Sequence, residues 1–306
     1  MKKDVTFPSA GMNLAGHLYL PEGSMAGPRP AIVVGHPGSG VKEQAAGLYA
    51  ERLARAGFVT LAFDAAYQGE SEGTPRGLED PAQRIEDFKA AVSFLGTLDG
   101  VDPERIGALG VCASGGYVVS AAATDLRIKA VATVSGVDVG RMFREGPDGK
   151  QDPAVLQGLL AAAAAARSAE ARGEGMGSFP IFPDTEEQAR AAGAYAFEGW
   201  EYYCTDRGQH PRSARRFTWN SADRIAAFDA FRFIDRIAPR PLLVIAGRRA
   251  ATAHQAIDAF EHAQQPKELF WIDGASHVDL YDRDPHVETA VVKLADFFGR
   301  HLQSRE

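Results

Sequence analysis

Cysteine is scarce in this sequence: Cys112 and Cys204 are the only two in 306 residues. Two cysteines cannot build a disulfide framework, and no C-x-x-C pair offers metal-ligand spacing, so neither a metal nor another cofactor is expected. Basic charge is also in deficit. With 33 Lys and Arg against 40 Asp and Glu, the net charge is −7, which argues against a phosphate-backbone binder and hence against a nucleic-acid partner. Long apolar runs are missing as well. None reaches the roughly 18 residues that a spanning helix needs, and the alanine-rich run at 159–166 is closed by Arg167. The N-terminus, MKKDVTFPSAGMNLAG, has two lysines with no apolar segment behind them, so no signal peptide and no membrane partner are expected. A reduced, cytoplasmic protein fits these absences.

What is present is a regular α/β rhythm. At 45% hydrophobic residues the chain can bury a large core. Residues 4–20 alternate around Gly11 and predict an antiparallel hairpin. Short β-branched runs, AIVVGH (31–36), FVTLAFD (58–64), IGALGV (106–111) and IKAVATVSG (128–136), read as buried strands separated by helices at 42–56, 81–98 and 115–124. The rhythm breaks from Arg141 to about Asn220 and then resumes. A helix at 222–236 comes first, then PLLVIAG (241–247), a helix at 254–264, ELFWIDG (268–274) and a final helix at 286–302. Strands alternating with helices predict a mostly parallel sheet with helices on both faces. The interruption is too long for a loop. We therefore expect one domain over 1–306 with a mainly helical cap insertion at 141–220, lying over the sheet edge where such folds bind ligands. A homodimer would use the exposed final helix or this cap.

IGALGVCASGGYV ends a strand in a turn of small residues before a helix. A nucleophile elbow has this form, with small neighbours two positions either side of the reactive residue, here Gly110 and Ser114 around Cys112. The following helix would aim its N-terminus at Cys112 and favour thiolate. Ser114 is a rival nucleophile, but that frame puts Cys112 where glycine is preferred and moves the serine into the helix. His277, in WIDGASHVDLYD after the last strand, has the position of the base. A pair of this kind predicts a rate that falls below neutral pH.

The third member should be a carboxylate after PLLVIAG, yet GRRAATAHQAID offers none before Asp258. Asp138, at the end of the preceding strand in TVSGVDVG, is the best substitute, with Asp64 another strand-end carboxylate. Oxyanion-hole N–H groups are expected from Gly38, since Pro37 cannot donate, and from Ala113. GHPGSGVK looks like a phosphate loop but lacks the Lys-Ser/Thr after its last glycine.

HPGSGVKEQ, LAFDAAYQGES, GVCASGGY, YYCTDRGQHP and ASHVDLYD, in this order along nearly the whole chain, together resemble the dienelactone-hydrolase-like α/β-hydrolases. Within them they resemble a bacterial branch related to fungal polyketide transferases. The resemblance implies an α/β-hydrolase fold with Cys112 as nucleophile, His277 as base, and roles near the site for His36, Glu43 and Asp64. The departure is Ala251, where related sequences tend to carry the acid. The expected partner is a small-molecule acyl substrate. The leading expectation is hydrolysis of a carboxylic ester, lactone or thioester through a Cys112 acyl-enzyme. Transfer of the acyl group to an alcohol or amine is the alternative, and a non-catalytic ligand-binding protein is the third reading that Ala251 invites.

Overall fold

The hairpin at the start sets one edge of the sheet. In the computed structural model, which describes residues 1–23 and 27–303, β1 (Lys2–Ser9) and β2 (Met12–Tyr19) pair antiparallel around Ala10 and Gly11. Both turn residues have positive φ, 45° and 85°, the backbone whose twist matches that of the flanking strands. Four buried strands follow: β3 (Arg29–Gly35), β4 (Val59–Phe63), β5 (Val101–Val111) and β6 (Ile128–Val134). Between them run α1 (Ala45–Arg55), α2 (Pro81–Gly96) and α3 (Ser114–Thr124). Asp80 caps α2 by accepting the Ala82 N–H at 3.1 Å, and Pro81 opens it, as a helix start favours.

The stretch that breaks the rhythm holds α4 (Val139–Glu145), α5 (Pro153–Ala171), the short strand β7 (Ser178–Pro180), α6 (Glu186–Ala191), α7 (Ala194–Cys204), β8 (Arg216–Thr218) and α8 (Asn220–Ala226). β7 and β8 form their own two-stranded ribbon. Then β9 (Leu242–Gly247), α9 (Ala253–His262), β10 (Lys267–Ile272), α10 (Asp279–Asp282) and α11 (His286–His301) complete the fold. The main sheet has the order β1-β2-β4-β3-β5-β6-β9-β10, and it is parallel from β4 to β10.

Glycines show how closely helices cover both faces. A Cβ at Gly107 would lie 2.7 Å from the Phe298 ring of α11, and one at Gly35 would lie 2.3 Å from the Phe88 ring of α2. Gly35 pairs with Gly110, three residues after Gly107 on β5, so period-two alternation puts these two contacts on opposite faces.

One predicted element is shorter than expected. The helix read at 222–236 ends at Ala226 and gives way to turns and a 3₁₀ segment at Ile234–Ile237. The carbonyls that would continue it are taken from elsewhere. Arg144 holds the Ala226 and Phe228 oxygens at 2.9 and 2.6 Å, and the Ser120 hydroxyl holds Ala230 O at 3.0 Å. Side-chain donors from α4 and α3 replace the helical ladder. Among the described residues no helix is long and apolar enough to cross a membrane.

Candidate active site

β5 delivers Cys112 to the C-terminal edge of the sheet in a strained turn. Its φ is +54°, a left-handed conformation that costs a non-glycine residue roughly 1–3 kcal/mol. Tertiary bonds hold it there: Cys112 N–H donates to Val134 O at 3.0 Å, and its own carbonyl accepts from Gly115 N and Val137 N at 2.8 and 3.1 Å. The small neighbours are a steric demand. A Cβ on Gly110 would stand 2.0 Å from Ser114 O, and one on Gly115 would stand 2.4 Å from Gly136 Cα.

Two donors converge on the buried sulfur, the backbone N–H groups of Gly38 and Ala113, and the Tyr281 hydroxyl oxygen stands within hydrogen-bond reach to accept the thiol proton. The same hydroxyl lies 3.1 Å from His277 Nε2, so it bridges thiol and imidazole. His277 Nδ1 meets Thr252 Oγ1 at 2.7 Å. With Nδ1–H donating to Thr252, Nε2 accepts from Tyr281, and a line runs Thr252–His277–Tyr281–Cys112.

This line is uncharged. His277 is fully buried, and burial lowers its pKa to about 3. Burial also pushes the Cys112 thiol up, against the smaller opposing pull of Tyr281 and the two N–H groups. The expectation of a resting thiolate is therefore not met: desolvation outweighs the hydrogen bonds around the sulfur and the Arg84 charge. A carboxylate beside His277 would have stabilised the imidazolium, whereas the Thr252 hydroxyl has no charge with which to do so.

Asp138 is not the partner of His277. Its carboxylate caps α4, accepting Arg141 N–H at 3.1 Å, with Arg144 3.7 Å away. The expectation that it completes the site is set aside, because the Nδ1 position belongs to Thr252. Ser114 is spoken for as well: its buried hydroxyl donates to His36 O at 2.6 Å and accepts from Arg84 at 2.9 Å. His36, Glu43 and Asp64 support the loop that carries Gly38. The His36 ring joins Pro37 O at 2.7 Å to Ala65 N–H at 3.1 Å, and burial with the nearby Arg84 charge keeps it neutral. Asp64 accepts Lys42 N–H at 2.7 Å and the Lys42 ammonium at 2.8 Å. Glu43 pairs with Lys42 at 2.9 Å and with Arg212.

Cys112, Ala113, Gly38 and Tyr281 face a mainly apolar cavity of about 160 Å³, roofed by Met142, Phe143, Ile181, Phe182, Tyr195, Tyr203 and Phe217 from the stretch between β6 and β9. Of the aromatic residues on α7, Tyr195 and Tyr203 reach this cavity. Phe197 stacks on Trp200 at 6.0 Å, and Tyr202 packs on Tyr281 at 5.2 Å. Thr252 and Tyr281 went unread in the sequence. Thr252 directly follows Ala251, where only a carboxylate was sought, and Tyr281 lies one helical turn beyond His277. Among the described residues no group of three or more His, Cys, Asp or Glu is placed to hold a metal ion.

Residues 14–158 match the model of the dienelactone hydrolase family. Over 273 residues, 89% of each chain, the sequence is 40% identical to the uncharacterized protein YcjY of Escherichia coli strain K12. The chain belongs to the dienelactone hydrolase family. This family member also superposes on the crystal structure of the hypothetical protein PA2218 from Pseudomonas aeruginosa with a TM-score of 0.92 at 37% identity, covering 98% of this chain and 94% of that one. A 135-residue part is 40% identical to thiohydrolase aneE of Aspergillus aculeatus, covering 44% of this chain and 41% of that protein. As a dienelactone hydrolase family member the chain is an α/β-hydrolase-fold enzyme, of the ester-cleaving or acyl-transferring kind. The reading of a non-catalytic binding protein is dropped.

Proposed function

We propose that this enzyme hydrolyses a thioester or activated ester through an acyl group carried on Cys112. The convergence of the Gly38 and Ala113 N–H groups on a sulfur held in a left-handed strand-to-helix turn carries the reading. Two such donors in a buried, mainly apolar site match the developing charge of a tetrahedral intermediate.

The substrate carbonyl oxygen displaces the sulfur from the two N–H groups. The sulfur bonds to the carbonyl carbon as its proton passes to the Tyr281 oxygen and the Tyr281 proton passes to His277 Nε2. The imidazolium then protonates the leaving sulfur or oxygen as its bond to carbon breaks. Water attacks the acyl-cysteine, His277 takes its proton, and the carboxylic acid departs as the thiol regains hydrogen. Thioesters suit this scheme best: exchange of one C–S bond for another is nearly neutral in energy, whereas making an acyl-cysteine from an oxygen ester runs uphill. The name of the thiohydrolase relative agrees with that preference.

Intact-mass spectrometry during turnover of an acyl thioester tests the reading. The expected result is an acyl adduct on the wild type that maps to Cys112, with none on Cys112→Ala and at least a 10³-fold loss of kcat there. Turnover by Cys112→Ala at the wild-type rate would sink it.

A further inference from the structure

We infer that the cavity selects acyl groups bearing a neutral hydroxyl, read by the paired side chains of Glu79 and Tyr117; this rests on the acyl-cysteine reading above. Both residues line the same cavity as Cys112, yet neither stands in the line from Thr252 to the thiol. The Tyr117 hydroxyl donates to Glu79 Oε1 at 2.8 Å. Among the described residues Glu79 Oε2 has one hydrogen-bond partner, Gln68 Nε2 at 3.5 Å, which leaves it acceptor capacity. Other walls nearby are apolar, among them Val137, Val139 and Ile225. A few convergent polar groups in an apolar pocket fix the orientation of a ligand.

Charge decides the ligand class. Arg84 lies 3.7 Å from Glu79 Oε1, with its guanidinium 4.9 Å from the centre of the Tyr117 ring, so an ammonium brought here meets a buried cation. A carboxylate meets Glu79 instead. A hydroxyl meets neither conflict: it donates to Glu79 Oε2 and takes the Tyr117 proton that Glu79 Oε1 receives in the free protein. The cavity of about 160 Å³ is of the size that takes one aromatic ring. Glu79 and Tyr117 satisfy one another while the site is empty, so a ligand without the hydroxyl is disfavoured mildly and not excluded.

The test uses two thioesters of one thiol, 4-hydroxyphenylacetyl and the size-matched 4-methylphenylacetyl, bound intact by Cys112→Ala protein in a calorimeter. The hydroxyl compound should bind about tenfold more tightly. Adding Tyr117→Phe, which leaves the Glu79–Arg84 pair in place, should cut that ratio to near one; Glu79→Leu should do the same if it folds. Equal binding of the two compounds, or a ratio unchanged in Tyr117→Phe, overturns the inference. Wild-type protein is then mixed with each thioester and weighed. Selective binding with no acyl group on Cys112 defeats the nucleophile assignment and leaves the hydroxyl preference standing.

Discussion

A hydroxyl at position 252 in place of a carboxylate leaves the imidazole electrically unsupported. His277 must be neutral to accept a proton, and its pKa of about 3 means that it stays neutral through the whole range from pH 8 to 5. The rate should therefore stay level across that range and fall only as pH drops toward 3, in place of the falling limb below neutrality that the sequence alone predicts; a pH–rate profile decides between the two. Thr252→Asp places a carboxylate on Nδ1 and favours the imidazolium. Its pH–rate profile should gain an acid limb between pH 5 and 8; a profile as flat as that of the wild type would show that Thr252 does not govern the base. This residue was hidden in the sequence for a simple reason. Threonine is common at helix starts, and Thr252 stands at the N-cap of α9 without making a cap bond, its Oγ1 turned to His277 instead.

The strand, elbow and helix around Cys112 act as one device, and their spacing was legible. Gly110 and Gly115 favoured the elbow reading of GVCASGGY over the frame with Ser114 as nucleophile, because only small residues let α3 approach β5 and the turn after β6. Gly115→Ala should separate those segments: its methyl would lie 2.4 Å from Gly136 Cα. We expect a loss of about 2–4 kcal/mol in urea denaturation together with at least a tenfold fall in kcat. Wild-type stability in that variant would mean the elbow is less tightly packed than described. Less legible were features fixed by distant partners. The helix read at 222–236 carried the right apolar spacing but lost its carbonyls to Arg144 and Ser120. Asp138 looked free at a strand end, yet it caps α4, a helix whose start was not read in the sequence.

For the folded molecule, burial of a neutral imidazole carries a cost in acid. The unfolded chain protonates His277 near pH 6.5, while the native state resists until about pH 3. The stability this group contributes is therefore complete above 6.5 and lost as pH falls toward 3, about 2 kcal/mol of it by pH 5. His277→Gln removes the linkage. Between pH 7 and 5 the variant should lose about 2 kcal/mol less stability than the wild type in urea titrations; equal losses would place the imidazole in contact with solvent. The roof over the cavity has a chemical consequence of its own. A sulfur kept protonated, capped by two amides and screened by aromatic rings is a poor target for peroxide or for electrophilic scavengers, which attack thiolates that solvent can reach. Half-buried Cys204 should be consumed first. Reactivity at Cys112 is thus released only by a molecule able to take the place of the sulfur on those amides, so that admission to the cavity and arming of the thiol become a single event.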